Sequence, residues 1–184
     1  IKPNNTINIR PGLRFIKNSV YSAPPVIPSI NSKFTLYNNF DLRVAYAYGF
    51  RSPALRELYY NFVDANHIIV GNPHLKAEHS SSFNGSLSCT LPKTKQGHQN
   101  VITLSSFYNT FNNLINYATS PTSTDTTITV NIDKYKTTGI MIEDKLQSKN
   151  FTASLGFSYI GRYNQLADAK KKKVVLSNTL FENT

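Results

Sequence analysis

The side chains best able to do chemistry in this sequence lie between residues 51 and 79, a stretch rich in Pro, Tyr, His and Asn. Three of the four histidines are here, His67, His74 and His79, spaced seven and five residues apart. With no cysteine nearby they match no tight metal site, and no metal or cofactor is expected. Nor is there a catalytic constellation. No Ser/His/Asp or Cys/His arrangement stands out, the acidic residues are scattered, and no Gly-rich phosphate loop is present, so the chain is not read as an enzyme. The single cysteine, Cys89, excludes an internal disulfide framework. A connection of this length is unusual in a compact domain, and one rich in aromatic and amide groups suits binding rather than catalysis.

The elements that hold this stretch are strands. Before it, Phe40, Leu42, Val44, Tyr46, Tyr48 and Phe50 alternate strictly with Asp41, Arg43, Ala45, Ala47 and Gly49. After it, Phe83, Gly85, Leu87, Cys89 and Leu91 share one face, with Asn84, Ser86, Ser88 and Thr90 on the other. Alternation of this kind marks strands with one apolar and one polar face. From Phe40 to Phe50 the run is ~33 Å long at ~3.3 Å per residue. Tilted by ~45° it rises roughly 23 Å, close to the ~25 Å apolar band of an outer-membrane barrel, and aromatics sit at both ends of its apolar face. A soluble β-sandwich alternates too, usually with shorter strands, and the pattern by itself leaves that alternative open.

Strands are expected at 6–16, 30–37, 40–50, 83–91, 101–111, 135–146, 151–159 and 174–183. Pro11 argues against a regular central strand in the first of them, unless it sits at a bulge. The faces of 101–111 are mixed and stay unassigned, and Asp144 intrudes on an otherwise apolar face, which places it near an interface. Cys89 falls on an apolar face, as an inert lipid-facing or core residue. Tight turns at 38–39, 92–100 and 147–150 alternate with loops at 17–27, 51–79, 119–126 and 164–173. Short connections at one end and long ones at the other is the habit of membrane barrels, with the short ones facing the periplasm.

Composition agrees. The 184 residues contain 11 Tyr, 11 Phe and no Trp, with only 16% charged residues, which favours a β-rich chain. No segment approaches ~18 consecutive apolar residues, so no transmembrane helix is expected. The net charge of +10 invites a nucleic-acid partner. Much of it is accounted for otherwise: Lys170–Lys173 read as a loop, and Arg10, Arg14, Lys33 and Arg43 lie on polar strand faces. No nucleic acid is expected.

Two paired motifs carry a resemblance. Gly49, Phe50, Arg51 and Pro53 end one strand, and Asn72, Pro73, Leu75, Glu78 and Ser80 open the next. This resembles the barrel signature of TonB-dependent outer-membrane receptors, with Ser52 where Ala is usual and Ala77 where Pro is common. The segments 107–118 and 137–140 resemble the following strand pair, so the resemblance spans about residues 7–164. It implies an all-β, antiparallel up-and-down transmembrane β-barrel in the bacterial outer membrane, of which this chain supplies about eight of ~22 strands. It implies a fragment, residues 1–184 being part of the barrel, with the plug domain and the remaining strands absent. Alone it would leave two raw sheet edges.

The resemblance further implies import of a scarce nutrient (siderophore, haem, cobalamin or glycan) energised through TonB. The expected partners are outer-membrane lipid and lipopolysaccharide, the plug domain of the parent chain, TonB through the N-terminal region, and a small-molecule nutrient. On that reading the ligand candidates are Tyr59, Tyr60, Phe62, Asp64, Asn66 and His67, whose rings and amides can stack on and hydrogen-bond a large polar ligand. Arg10, Arg14, Lys33 and Arg43 would line the lumen against the plug. Gly49, Phe50, Arg51, Pro53, Asn72, Pro73, Leu75 and Glu78 would be structural, marking where strand becomes loop.

Overall fold

A computed structural model describes residues 6–37, 39–65, 68–95, 97–121 and 123–164. The expected strand at 174–183, Lys170–Lys173, and the ligand candidates Asn66 and His67 lie outside the described residues. Seven long strands form the wall: β1 (Ile7–Phe15), β2 (Val26–Tyr37), β3 (Phe40–Arg51), β6 (Glu78–Thr90), β7 (Gln99–Thr119), β8 (Thr126–Gln147) and β9 (Thr152–Asn164). Within the loop between β3 and β6 lie a one-turn helix α1 (Leu55–Tyr59) and two short strands, β4 (Asn61–Val63) and β5 (Ile68–Val70). Each long strand pairs antiparallel with the next, from β1 through β2, β3, β6, β7 and β8 to β9. Among the described residues this is one open sheet, with no second sheet packed against it. The sandwich alternative therefore falls.

The registers carry the alternation across the whole wall. Ile7 opposes Phe34, Phe34 opposes Leu42, Leu42 opposes Leu87, Leu87 opposes Leu104, Leu104 opposes Ile142, and Ile142 opposes Phe157. One belt of aliphatic and aromatic residues therefore runs unbroken along one face. It is largely open: Leu104 is 44% exposed, Ile142 48% and Phe157 68%. In water a belt of that kind would be unstable; it needs an apolar medium. The other face holds Asn31, Arg43, Ser86, Ser105 and Ser158, all of them polar.

Connections at one end are short: residues 38–39, 91–98 and 148–151, the last closed by the Ser148 N–H on the Phe151 carbonyl at 2.9 Å. At the other end they are mostly longer, residues 16–25 and 52–77. Near the short-turn end of the apolar face, Asp144 accepts two 3.1 Å hydrogen bonds from the Asn100 amide, which keeps the carboxylate satisfied at the edge of the belt.

Several sequence expectations need correction. Pro11 is not among them: β1 lies at the edge of the described sheet rather than in its centre, and the register passes through Pro11, opposite Ile30, without a bulge. The irregularity lies instead between Thr35 and Tyr37. β2 starts at Val26, inside the expected loop. The strands expected at 101–111 and 135–146 are far longer, 21 and 22 residues, because residues 112–119 pair with 127–134 in a ladder that neither segment announces by alternation. β7 also resolves its faces: Ile102, Leu104 and Tyr108 share the apolar face, while Phe107 and Phe111 turn to the polar one. There Phe107 opposes Gly139, whose missing side chain leaves room for the ring, and Phe111 packs on Tyr135 at 5.9 Å.

Candidate functional site

The longest hairpin overhangs the wall. About 20 steps of ~3.3 Å make β7 ~66 Å long, roughly 47 Å of rise at 45°, against the ~25 Å of an apolar band. Asn113, with φ of 54°, sits where this overhang begins. The loop 52–77 leaves the top of β3 and crosses the overhang. It places β5 on the free edge of β8 as a parallel strand, Ile68–Val70 against Thr126–Ile128, with β4 completing a small hairpin. This parallel ladder is a departure from a purely up-and-down sheet.

Three fastenings hold the crossing. The first is ionic. Arg51 Nη1 donates to both oxygens of Glu57 at 2.9 Å, and its Nη2 donates to Glu78 at 3.2 Å. Each carboxylate is used again: Glu57 accepts the Ala54 N–H at 2.8 Å, fixing the start of α1, and Glu78 accepts the Ile115 N–H at 3.1 Å. A planar guanidinium is the group that can span two carboxylates in this way.

The second fastening is a small apolar core. Leu58, Leu75 and Ile115 are 7%, 3% and 8% exposed and pack together, joining α1 and the end of the loop to β7. The third is a pair of asparagines. Asn131 holds the backbone of Lys76 from both sides, accepting its N–H at 2.7 Å and donating to its carbonyl at 3.0 Å, and also donates to Asn113 at 2.8 Å. The Asn72 amide donates to the Thr129 carbonyl at 3.1 Å while its oxygen accepts the His74 N–H at 2.9 Å. Gly71 passes so close to Leu58 that a Cβ there would lie 2.8 Å from the Leu58 carbonyl group.

On this base the loop displays a stack. The Arg56 guanidinium lies 5.0 Å over the Tyr60 ring, and the Tyr60 and Phe62 rings are nearly parallel, 4° apart in plane with centroids at 6.3 Å. Tyr60 is 38% and Phe62 39% exposed, and Tyr59 beside them is 65% exposed. A flat aromatic surface edged by a cation can take planar or anionic ligands by stacking and charge. Of the six ligand candidates, Tyr60 and Phe62 come together, Tyr59 projects alongside, and Asp64 is exposed just beyond β4. Arg56 had no place among them; a cation four residues before Tyr60 on a helical turn was the available signal.

Arg10, Arg14, Lys33 and Arg43 all lie on the polar face by register. Lys33 is already paired with Asp41 at 3.0 Å, with Arg43 directly opposite Lys33. Among the described residues, Arg10, Arg14 and Arg43 form no direct ion pair, though the Arg43 charge also reaches Asp41, and Arg10, Asn31, Lys33 and Arg43 border a hollow of about 260 Å³. The strand-end motif residues converge elsewhere. Arg51 and Glu78 are the ionic fastening, Leu75 is in the apolar core, and Asn72 is the backbone clamp. Phe50 packs edge-on against His79 at 5.3 Å, and Tyr48 meets the His79 Nδ1 at 2.8 Å. Glu57, Asn131 and Ile115 were not singled out from the sequence. Glu57 alone carried a local hint, as an acid in the first helical turn just after a proline. Among the described residues, no group of His, Cys, Asp and Glu is arranged to hold a metal ion.

Comparison with known proteins gives three results. A family model described as TonB dependent receptor-like, beta-barrel, matches residues 1–183. Among solved structures, the chain is similar to a double mutant of the hemophore receptor HasR of Serratia marcescens, in complex with its hemophore HasA and heme. The TM-score is 0.61 at 18% identity, over 85% of this chain and 29% of that one. It is also similar to the siderophore receptor PirA of Pseudomonas aeruginosa, with a TM-score of 0.61 at 18% identity, over 89% of this chain and 34% of that one. The chain thus spans about a third of the length of these structures. No curated protein matches it.

Proposed function

The chain belongs to the TonB-dependent receptor-like β-barrel family, and on that premise we propose that it is a section of wall from a nutrient importer whose loop 52–77 presents a ligand platform. Proteins of this family lie in the outer membrane of Gram-negative bacteria and are transporters rather than enzymes. The apolar belt then faces lipid, the polar face borders the barrel interior, and the long-loop end lies outside the cell. In the parent protein, further strands close the barrel and a plug domain fills it. Arg10, Arg14 and Arg43 meet plug carboxylates across the lumen, and TonB, driven by the proton-motive force, opens the plug.

The observation that carries the ligand reading is the exposed stack of Arg56, Tyr60 and Phe62 on a loop fastened at three places. Ordered beforehand, such a surface loses little entropy when a ligand docks. Tyr59 and Asp64 flank it and add a further ring and a carboxylate acceptor. The cargo classes it suits are siderophore, haem, cobalamin or glycan, with planar or anionic faces favoured by the stack.

The test uses the full-length parent receptor in cells lacking other receptors of this family. Growth and binding are measured on ferric siderophores, haem, cobalamin and oligosaccharides. One class should support growth; Tyr60→Ala with Phe62→Ala should weaken its binding at least about tenfold, as loss of two stacking contacts of ~1 kcal/mol each would. A protonophore should stop uptake and leave binding intact. Unchanged binding in the double variant would remove the platform, and uptake indifferent to the protonophore would remove the energy coupling.

A further inference from the structure

The overhang closes its long strand edges with side chains and loop. Beyond Asn112, β7 has no strand on its β6 side. There Glu78 takes the Ile115 N–H at 3.1 Å, and the Asn116 amide oxygen takes the Tyr117 N–H at 2.8 Å. The edge of β8 is covered by β5, and beside it the Asn72 amide donates to the Thr129 carbonyl at 3.1 Å. Edges closed in this way do not recruit another strand. β4 is different. It ends the sheet, with β5 on one side and, among the described residues, no strand on the other. The direction of its main-chain groups follows from the register. The Gly71 N–H bonds the Tyr60 carbonyl at 2.8 Å, whereas the Ile68 N–H turns the other way, to Asp125 at 3.0 Å. Bonded pairs alternate along an antiparallel ladder, so Phe62 faces β5 while the N–H and C=O groups of Asn61 and Val63 point outward. The Asn61 side chain does not close this edge, because its oxygen accepts the Gly71 N–H at 3.3 Å. All three residues of β4 are exposed.

An edge with outward main-chain donors and acceptors takes an extended peptide as one more strand. The two ends of this edge carry opposite charge. Arg56 stands over the Tyr60 ring just before β4, and the exposed Asp64 follows directly after it. From Tyr60 to Asp64 there are four steps of ~3.4 Å, or ~14 Å, the span of about four extended residues. Only an antiparallel peptide brings its C-terminal carboxylate to the cation and its ammonium to the acid; a parallel one reverses both. We propose that the outer edge of β4 binds a free peptide of about four residues, paired antiparallel, with its carboxylate on Arg56 and its ammonium toward Asp64. A β-branched side chain of that peptide would lie against the Phe62 ring. The proposal rests on loop 52–77 being the ligand platform, and it adds short peptides to the cargo classes named above.

The experiment uses the complete receptor in nanodiscs and, as probe, a tetrapeptide of alternating valine and threonine with free ends, its binding read by calorimetry. The native receptor should bind it. Val63→Pro removes one outward N–H that the ladder to β5 does not use, and should weaken binding roughly tenfold or more. Val63→Thr keeps that N–H and should bind as the native receptor does. N-methylation of one alternate set of peptide nitrogens should abolish binding, and of the other set should leave it intact. Arg56→Gln should weaken the free acid about fivefold and leave the C-terminal amide of the same peptide unaffected. Amide exchange at Asn61 and Val63 should be fast in the receptor alone and slowed by the peptide. The site is disproved by undiminished binding in Val63→Pro, or by indifference to which nitrogens are methylated. Equal binding of a peptide blocked at both ends would also disprove it, showing a docking edge for a protein segment. Slow exchange at Asn61 and Val63 in the receptor alone would do the same, because another part of the chain or a second copy would then hold the edge. Should the tetrapeptide not bind, the four cargo classes separate the two readings. If one of them binds and loses affinity in Tyr60→Ala with Phe62→Ala, only the peptide site is lost; if none does, the platform is lost as well.

Discussion

The wall and the overhang share two strands, β7 and β8, yet their side chains are held in opposite ways. Along the wall the large apolar residues stay open, Leu104 at 44% and Phe157 at 68%, and the backbone ladder does the internal work. In the overhang Leu75 is 3%, Ile132 4% and Thr129 2% exposed, and the loop is fixed by side chains reaching backbone groups more than fifty residues away. The wall borrows its apolar partner from the membrane; the overhang, standing in water, must supply its own core. The same strand therefore changes its rule of construction near Asn113.

The sharpest way to break that contrast is at Gly71. Gly71→Val forces a side chain into the Leu58 carbonyl, 2.8 Å from where its Cβ would be, and backbone cannot step aside as a side-chain tip can. The expected outcome is complete loss of cargo binding by the parent receptor. Its heat-modifiable migration on gels, which reports the wall, should be unaltered. Equal loss of both would mean that the two regions fold as one unit.

The converse variant is Ile142→Arg in the middle of the belt. It should cost about 2–4 kcal/mol in urea unfolding from lipid bilayers, by placing a charge near the bilayer midplane. Cargo affinity, measured on the folded fraction, should not move. A smaller effect is expected at Arg51→Lys. An ammonium cannot span two carboxylates as the guanidinium does, and with Arg51 partly open to solvent the loss is about 1 kcal/mol, read as faster amide exchange at Ala54 and Ile115. The smallest is Lys33→Met. The pair with Asp41 is more than a third exposed on the lysine side, so unfolding should shift by only ~0.2–1 kcal/mol, and less in high salt.

Legibility followed the same division. Residues 40–50 could be assigned to strand and faces because every second side chain obeys one solvent, and the paired residues on β2 and β6 repeat the pattern. β7 resisted because Phe107 and Phe111 turn inward for local reasons: one lies over Gly139, the other against Tyr135. The overhang at 112–134 was invisible because its pairing is decided across strands, not within either. Asn131 could not have been found from its neighbours. Its function exists only when Lys76 has been brought alongside, and an asparagine in a strand otherwise reads as a solvated polar residue. The motif residues Arg51, Asn72, Leu75 and Glu78 were recognisable by resemblance, but Glu57, the acid that completes the ionic fastening, is none of the matched motif positions.

The double hold of Asn131 on Lys76 has a practical meaning for intact bacteria. Trypsin needs several residues drawn out as an unpaired ribbon before it can cut after a lysine or arginine. At Lys76 both main-chain groups are already engaged, and at Arg56 the carbonyl is bonded to the Tyr60 N–H at 3.1 Å within α1. A long surface segment carrying both a lysine and an arginine should thus survive shaving of whole cells, and be cut at Lys76 only after Asn131 has been replaced.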